Sequence, residues 1–96
     1  MSPAPAKSVR AIVSGRVQGV WFRAWTAEEA NRRDLSGWVR NCRDGTVEVA
    51  FAGPADRVDD MIRACHDGPP HARVDKVDVA LADDWPESGF HKVRST

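Results

Sequence analysis

Between Ser8 and Ser14, Val9, Ala11 and Val13 alternate with Arg10, Ile12 and Ser14, which predicts a strand with one face on a core. The period then changes. Phe22 to about Arg33 is rich in helix formers (Ala24, Ala27, Glu28, Glu29, Ala30, Arg32) and sets Phe22, Thr26 and Ala30 along one side. Trp38-Val39-Arg40-Asn41 and Thr46 to Ala52 read as two strands of a hairpin around Cys42-Arg43-Asp44-Gly45, whose Asp-Gly is a strong turn signal. Gly53-Pro54 ends that strand and opens a second helix, in which Val58, Met61, Ile62 and Cys65 recur at the i, i+3, i+4, i+7 spacing of a buried stripe. Gly68-Pro69-Pro70 terminates it. Val74, Val77, Val79 and Leu81 mark a fourth strand, Trp85-Pro86 breaks it, and Gly89 to Arg94 forms a short final strand. Residues 1–7 are rich in Pro and Ala and are expected to be a mobile tail, leaving 8–96 as one domain.

The order β-α-β-β-α-β predicts an α+β fold, the ferredoxin-like split β-α-β arrangement, with two helices on one face of an antiparallel sheet. That order has a geometric consequence. The first crossover makes the strand ending at Ser14 parallel to the one ending at Asn41, so the loop after Ser14 and Asn41 emerge at the same edge of the sheet. One strand lies between them, a gap of ~10 Å. If Val39 faces the core, period two places Asn41 on the helix-covered side, where the first helix begins. Asn41 therefore converges on Arg23.

The loop itself carries chemistry. In Gly15-Arg16-Val17-Gln18-Gly19-Val20-Trp21-Phe22-Arg23, the two glycines permit positive φ, which turns successive N–H groups toward one point. The orphan amides and dipole of the following helix favour an anion, and Arg23 adds a planar fork suited to phosphate. Gly-x-x-x-Gly alone is common in turns and does not decide the matter. The loop lacks the Lys-Ser/Thr pair of a Walker loop and the Gly-x-Gly-x-x-Gly of a dinucleotide site, so nucleotide binding is not indicated.

Composition narrows the partners. Lys plus Arg and Asp plus Glu are 14 each, so the formal net charge is zero and no global field draws the chain to nucleic acid or an anionic membrane. Three Phe and no Tyr further disfavour a base-stacking sheet. No apolar run approaches the ~20 residues of a membrane span, and Met1 to Lys7 lacks a signal peptide's apolar segment, so a cytoplasmic address is expected; the chain is also expected to be a monomer. Cys42 and Cys65 are too few for a disulfide framework and are expected as free thiols. His66, His71 and His91 do not sit at zinc-ligand spacing, and surface positions are expected for all three.

The Gly15–Arg23 loop and the segment Gly37-Trp38-Val39-Arg40-Asn41-Cys42-Arg43-Asp44-Gly45-Thr46-Val47-Glu48 together resemble the two signatures of the acylphosphatase family, Gly-Arg-Val-Gln-Gly-Val-x-Phe-Arg and Gly-Trp-Val-x-Asn-x-x-Asp-Gly-x-Val-Glu. They span about a third of the chain. The resemblance implies hydrolysis of small acyl phosphates to carboxylate and inorganic phosphate, with Arg23 and Asn41 catalytic, no metal or other cofactor, and the substrate phosphate taking the water's proton. It also implies that Gly15, Val17, Gln18, Gly19, Val20, Trp21 and Phe22 bind the substrate. The chain departs from the family pattern in three places. Arg33-Asp34-Leu35-Ser36 replaces the usual Leu-Gly-Leu, so the helix end is expected to be capped differently. Cys42 stands where Thr or Ser often follows the asparagine. Phe90-His91-Lys92-Val93 replaces Phe-x-Ile, which implies an irregular last strand.

The residue types suit that reaction. The two motifs hold an anion nest, a guanidinium and an amide, without a His or a carboxylate dyad, so strong general acid catalysis is not on offer. A mixed carboxylic-phosphoric anhydride does not need it, because its carboxylate leaving group, with pKa near ~4, departs unprotonated. Without the motif match, Asn41 reads preferentially as a residue capping the hairpin turn. The alternative function is a non-catalytic anion-binding module on the same scaffold, against which the pairing of Arg23 with Asn41 argues. Cys42, flanked by Arg40 and Arg43, is expected in a locally positive environment and more readily alkylated than Cys65.

Overall fold

The computed structural model describes residues 5–96. In chain order it contains strand β1 (Ala6–Arg16), helix α1 (Phe22–Arg32), β2 (Ser36–Asn41), β3 (Val47–Pro54), α2 (Ala55–Asp67), β4 (Arg73–Leu81) and β5 (Phe90–Lys92). The first strand starts earlier than the alternation indicates. Ala6 and Lys7 pair with Pro54 and Gly53, and the Pro5 carbonyl accepts the Ala55 N–H, so backbone bonding to the end of β3 extends order into the expected tail. The rest of that tail, residues 1–4, lies outside the described residues.

Val9, Ala11 and Val13 of β1, Val39 of β2, and Val47, Val49 and Phe51 of β3 form one continuous apolar face, all of them buried. Phe22 and Ala30 of α1 and Val58, Met61 and Cys65 of α2 cover it. Burying a side chain of Val, Met or Phe size contributes ~1.5–3 kcal/mol, which is why this face selects the register. Thr26 is the polar member of the α1 stripe, and its hydroxyl donates to the Phe22 carbonyl at 2.7 Å, so no polar group is stranded there.

The strand order is β4-β1-β3-β2-β5. This is the ferredoxin-like α+β fold, with one correction: the sheet is mixed. Its first four strands pair antiparallel, whereas β5 runs parallel to β2. The connection explains this. Leu81 ends β4 opposite Val9, near the start of β1, and residues 82–89 cross to the far edge to place Phe90 opposite Gly37, near the start of β2. The crossing is tied down as it goes: Ala82 N–H donates to Ser8 O, Ser8 Oγ to Asp84 O, and Gly37 N–H to Gly89 O. A strand that begins beside the start of β2 must run with it.

The end of α1 is also resolved. Arg33 is the C-cap and Asp34 takes φ 54°, while Leu35 N–H reaches Ala30 O and Asp34 N–H reaches Asn31 O. Those two bonds are a Schellman motif, in which glycine is usual at the left-handed position and aspartate here accepts the strain.

Candidate active site

The end of β1 cannot continue as a regular strand. Its register with β4 shifts between Ser14 and Gly15, and a Cβ on Gly15 would lie 2.2 Å from the Arg73 carbonyl oxygen. Glycine at this bulge lets the chain turn off the sheet. Val17 and Val20 then anchor the loop by burying in the core, and Gly19, with φ 73°, supplies the bend between them. Trp21 takes φ 66° as the N-cap of α1 and is 80% exposed, a conformation rare for a bulky residue. From Val17 to Trp21, no backbone N–H donates to an acceptor among the described residues. The first amides of α1 are orphaned by helix geometry.

Gln18 fixes this loop to its neighbour. Its Nε2 donates at 2.8 Å to both Cys42 O and Thr46 O, the two ends of the β2–β3 turn. The turn has its own lock: the Thr46 N–H and hydroxyl both donate to Asp44 Oδ1, and these bonds hold the Asp44 carboxyl below its usual range. The end of β2, and Asn41 with it, is thereby held at a set position against the loop.

A cavity of about 640 Å³ opens between the loop, α1, the end of β2 and the C-terminal segment. Arg23 and Asn41 both line it, with Val17, Gly19, Trp21 and Phe22 of the loop. Gly15, Gln18 and Val20, also expected there from the motif, do not line it. The bulge, the clamp and the core anchor respectively occupy them. Ala24, Lys92, Val93 and Arg94 complete the wall and were not legible as site residues. Their place follows from the parallel pairing of β5 with β2, and from Val93 N–H and Thr96 N–H donating to Val39 O and Asn41 O. The only sequence signal was the lysine in the altered final motif.

The wall is cationic. Arg23, Lys92 and Arg94 line it, no carboxylate does, and none of the three joins an ion pair among the described residues. Arg40 does not contribute. It sits on the other face of β2, paired with Glu48 and stacked 5.0 Å from the Trp38 ring centroid, so of the two arginines flanking Cys42 only Arg43 is without an ion pair among the described residues. Cys42 is half-buried and outside the cavity wall. Among the described residues no three His, Cys, Asp or Glu side chains gather as a metal site, and the three histidines are exposed. Among the described residues no helix is long and apolar enough to cross a membrane. Chemically, the site can hold a polyanion by amides and guanidinium, and can orient a small polar molecule through Asn41.

A family model described as Acylphosphatase matches residues 9–92. The chain is 57% identical over 83 residues to an acylphosphatase of Rubrobacter xylanophilus, covering 86% of this chain and 73% of that protein. Among solved structures it is similar to an acylphosphatase from Coxiella burnetii, with a TM-score of 0.88, 32% identity, and coverage of 92% of this chain and 93% of that one. It is likewise similar to an acylphosphatase from Bacillus subtilis, with a TM-score of 0.86, 36% identity, and coverage of 93% and 99%.

Proposed function

Because this chain belongs to the acylphosphatase family and is an enzyme that hydrolyses acyl phosphates, we propose that Arg23 and the amides of the cavity-lining residues Val17, Gly19, Trp21 and Phe22 hold the phosphoryl group while Asn41 orients the attacking water. The observation that carries this reading is the convergence of Arg23 and Asn41 on one cavity with no carboxylate in its wall. The water oxygen forms a bond to phosphorus as the bond to the acyl oxygen breaks. The carboxylate leaves with the electron pair, and the water's proton passes to a phosphoryl oxygen. Nothing must protonate the leaving group, since a carboxylate is stable at neutral pH. Positioning and charge stabilisation carry the reaction, the amides and the guanidinium being fixed before the charge develops. We further propose that the enzyme needs no metal, acts as a single-domain monomer in the cytoplasm, and has no nucleic acid or membrane partner.

Steady-state hydrolysis of benzoyl phosphate, with and without chelator, tests the reading. Activity should persist with chelator and should far exceed that on an alkyl phosphate monoester, whose alkoxide needs an acid this cavity lacks. Arg23→Lys should weaken inorganic phosphate binding and kcat/KM together by about 10–100-fold, because an ammonium lacks the bidentate fork. Asn41→Ala should lower kcat by about 100-fold with phosphate still bound. Phosphate binding without turnover would identify a binding module instead. Loss of phosphate binding in Asn41→Ala at unchanged kcat would reverse the assigned roles.

A further inference from the structure

A phosphoryl group fills little of this cavity. At about 30 Å³ per heavy atom, the share of a molecule in liquid water, its four atoms take ~120 Å³ of the roughly 640 Å³ present. The remaining wall is not wholly apolar. It includes Lys92 and Arg94, two cations from a different part of the chain than the phosphate loop, beyond the loop's own Arg23. Their approach is built into the backbone: β5 pairs with β2 through Lys92 opposite Val39, and Val93 and Thr96 donate to β2 carbonyls on either side of Arg94. Neither cation joins an ion pair among the described residues, although most other basic side chains have a carboxylate within reach. A pair of unneutralised cations lining the same cavity as the phosphate loop attracts a second negative charge.

We propose that Lys92 and Arg94 form a second anion subsite, which selects acyl phosphates whose acyl chain ends in a carboxylate or phosphate. This rests on reading the cavity as the acyl phosphate site. Both side chains are exposed, so each contact is worth about the ~1 kcal/mol of a surface ion pair, or about fivefold in kcat/KM. Screening by salt weakens it, whereas a bare neutral acyl chain gains nothing from it.

The test compares succinyl phosphate with butyryl phosphate, which matches it in chain length but ends in a methyl group. Wild-type enzyme should prefer the succinyl substrate in kcat/KM, and the preference should fade between about 20 mM and 500 mM salt. Lys92→Met and Arg94→Met should each lower the succinyl-to-butyryl ratio about fivefold, mainly through KM, and the double variant more. Lys92→Glu should lower it further, by repulsion. An unchanged ratio in the double variant, with butyryl phosphate still hydrolysed, overturns the subsite and leaves the phosphate site standing. Failure of wild-type enzyme on both substrates would instead overturn the reading of the cavity. Circular dichroism separates misfolding from either outcome, and the exposed Lys92→Gln variant must give the same ratio change as Lys92→Met.

Discussion

Replacing Gln18 with methionine keeps the side chain's length and removes its two donated hydrogen bonds. Both accepting carbonyls retain another partner: Cys42 O takes the Gly45 N–H, and Thr46 O takes the Cys42 N–H. No acceptor is orphaned, so the loss is that of two ordinary net bonds at the lower end of their range, about 1–2 kcal/mol in all. For a domain of this size that lowers Tm by roughly 4–16 °C. Glutamate should be worse. Its carboxylate would face two carbonyl oxygens, costing about 3 kcal/mol at neutral pH. Because the charged form is disfavoured in the fold, its folded pKa would be raised. The protonated acid can donate one bond, so stability should return as pH falls below that value. Urea melts at neutral and acid pH measure both effects, and benzoyl phosphate kinetics on the methionine variant should show a fall in kcat as the loop drifts from Asn41. Wild-type stability in Gln18→Met, or a glutamate variant no weaker than the methionine one at neutral pH, would refute the clamp.

The remaining predictions concern the frame around the site. Asp34→Gly should stabilise by about 0.5 kcal/mol in urea melts, since relief of a left-handed aspartate exceeds glycine's entropy cost and the loss of an exposed Arg57 pair; a loss of stability would contradict the Schellman assignment. Burial pushes the Cys65 thiol up to about 12, so iodoacetamide should label half-buried Cys42 in native protein and Cys65 only after denaturation. Arg33 donates to the Asp60 carboxyl and so holds it low; burial raises that of Glu29, but bonds from Arg32 and Arg33 outweigh it and leave it low as well. Both carboxyls therefore contribute stability that is present above their unfolded values near pH 4 and lost as pH falls through the folded ones, and Arg33→Gln should flatten that acid limb of the stability curve.

Much of the fold could be read from periodicity because each core element has one buried face. Phe22, Thr26 and Ala30 on α1 and Val58, Met61, Ile62 and Cys65 on α2 are the residues the spacing selects, and all are buried except Ile62, which packs half-buried against the core. The end of the chain was less legible. Phe90–Lys92 is too short for alternation to show, and its pairing with β2 depends on where residues 82–89 cross, which is set by contacts such as Ser8 to Asp84 that no local pattern encodes. Missing that crossing hid Lys92 and Arg94. The motif likewise marks Gly15, Gln18 and Val20 beside Gly19 and Arg23 without distinguishing a bulge, a clamp and a core anchor from a cavity wall. That distinction depends on partners distant in sequence: Arg73 for Gly15, and Cys42 and Thr46 for Gln18.

A chain with zero net charge can still hold a polyanion, and the arrangement of its ion pairs shows how. Arg33, Arg40 and Arg57 each meet a carboxylate outside the cavity: Asp60 and Glu29, Glu48, and Asp34. Those carboxylates neutralise the surface by pairing locally, and the cavity is left with cations alone. At physiological ionic strength a charge is felt over about 8 Å, so an anion in the cavity responds to its wall and hardly at all to the balance of the whole chain. The three cations of the wall, none of them neutralised by an ion pair among the described residues, therefore set the field that an anion meets there.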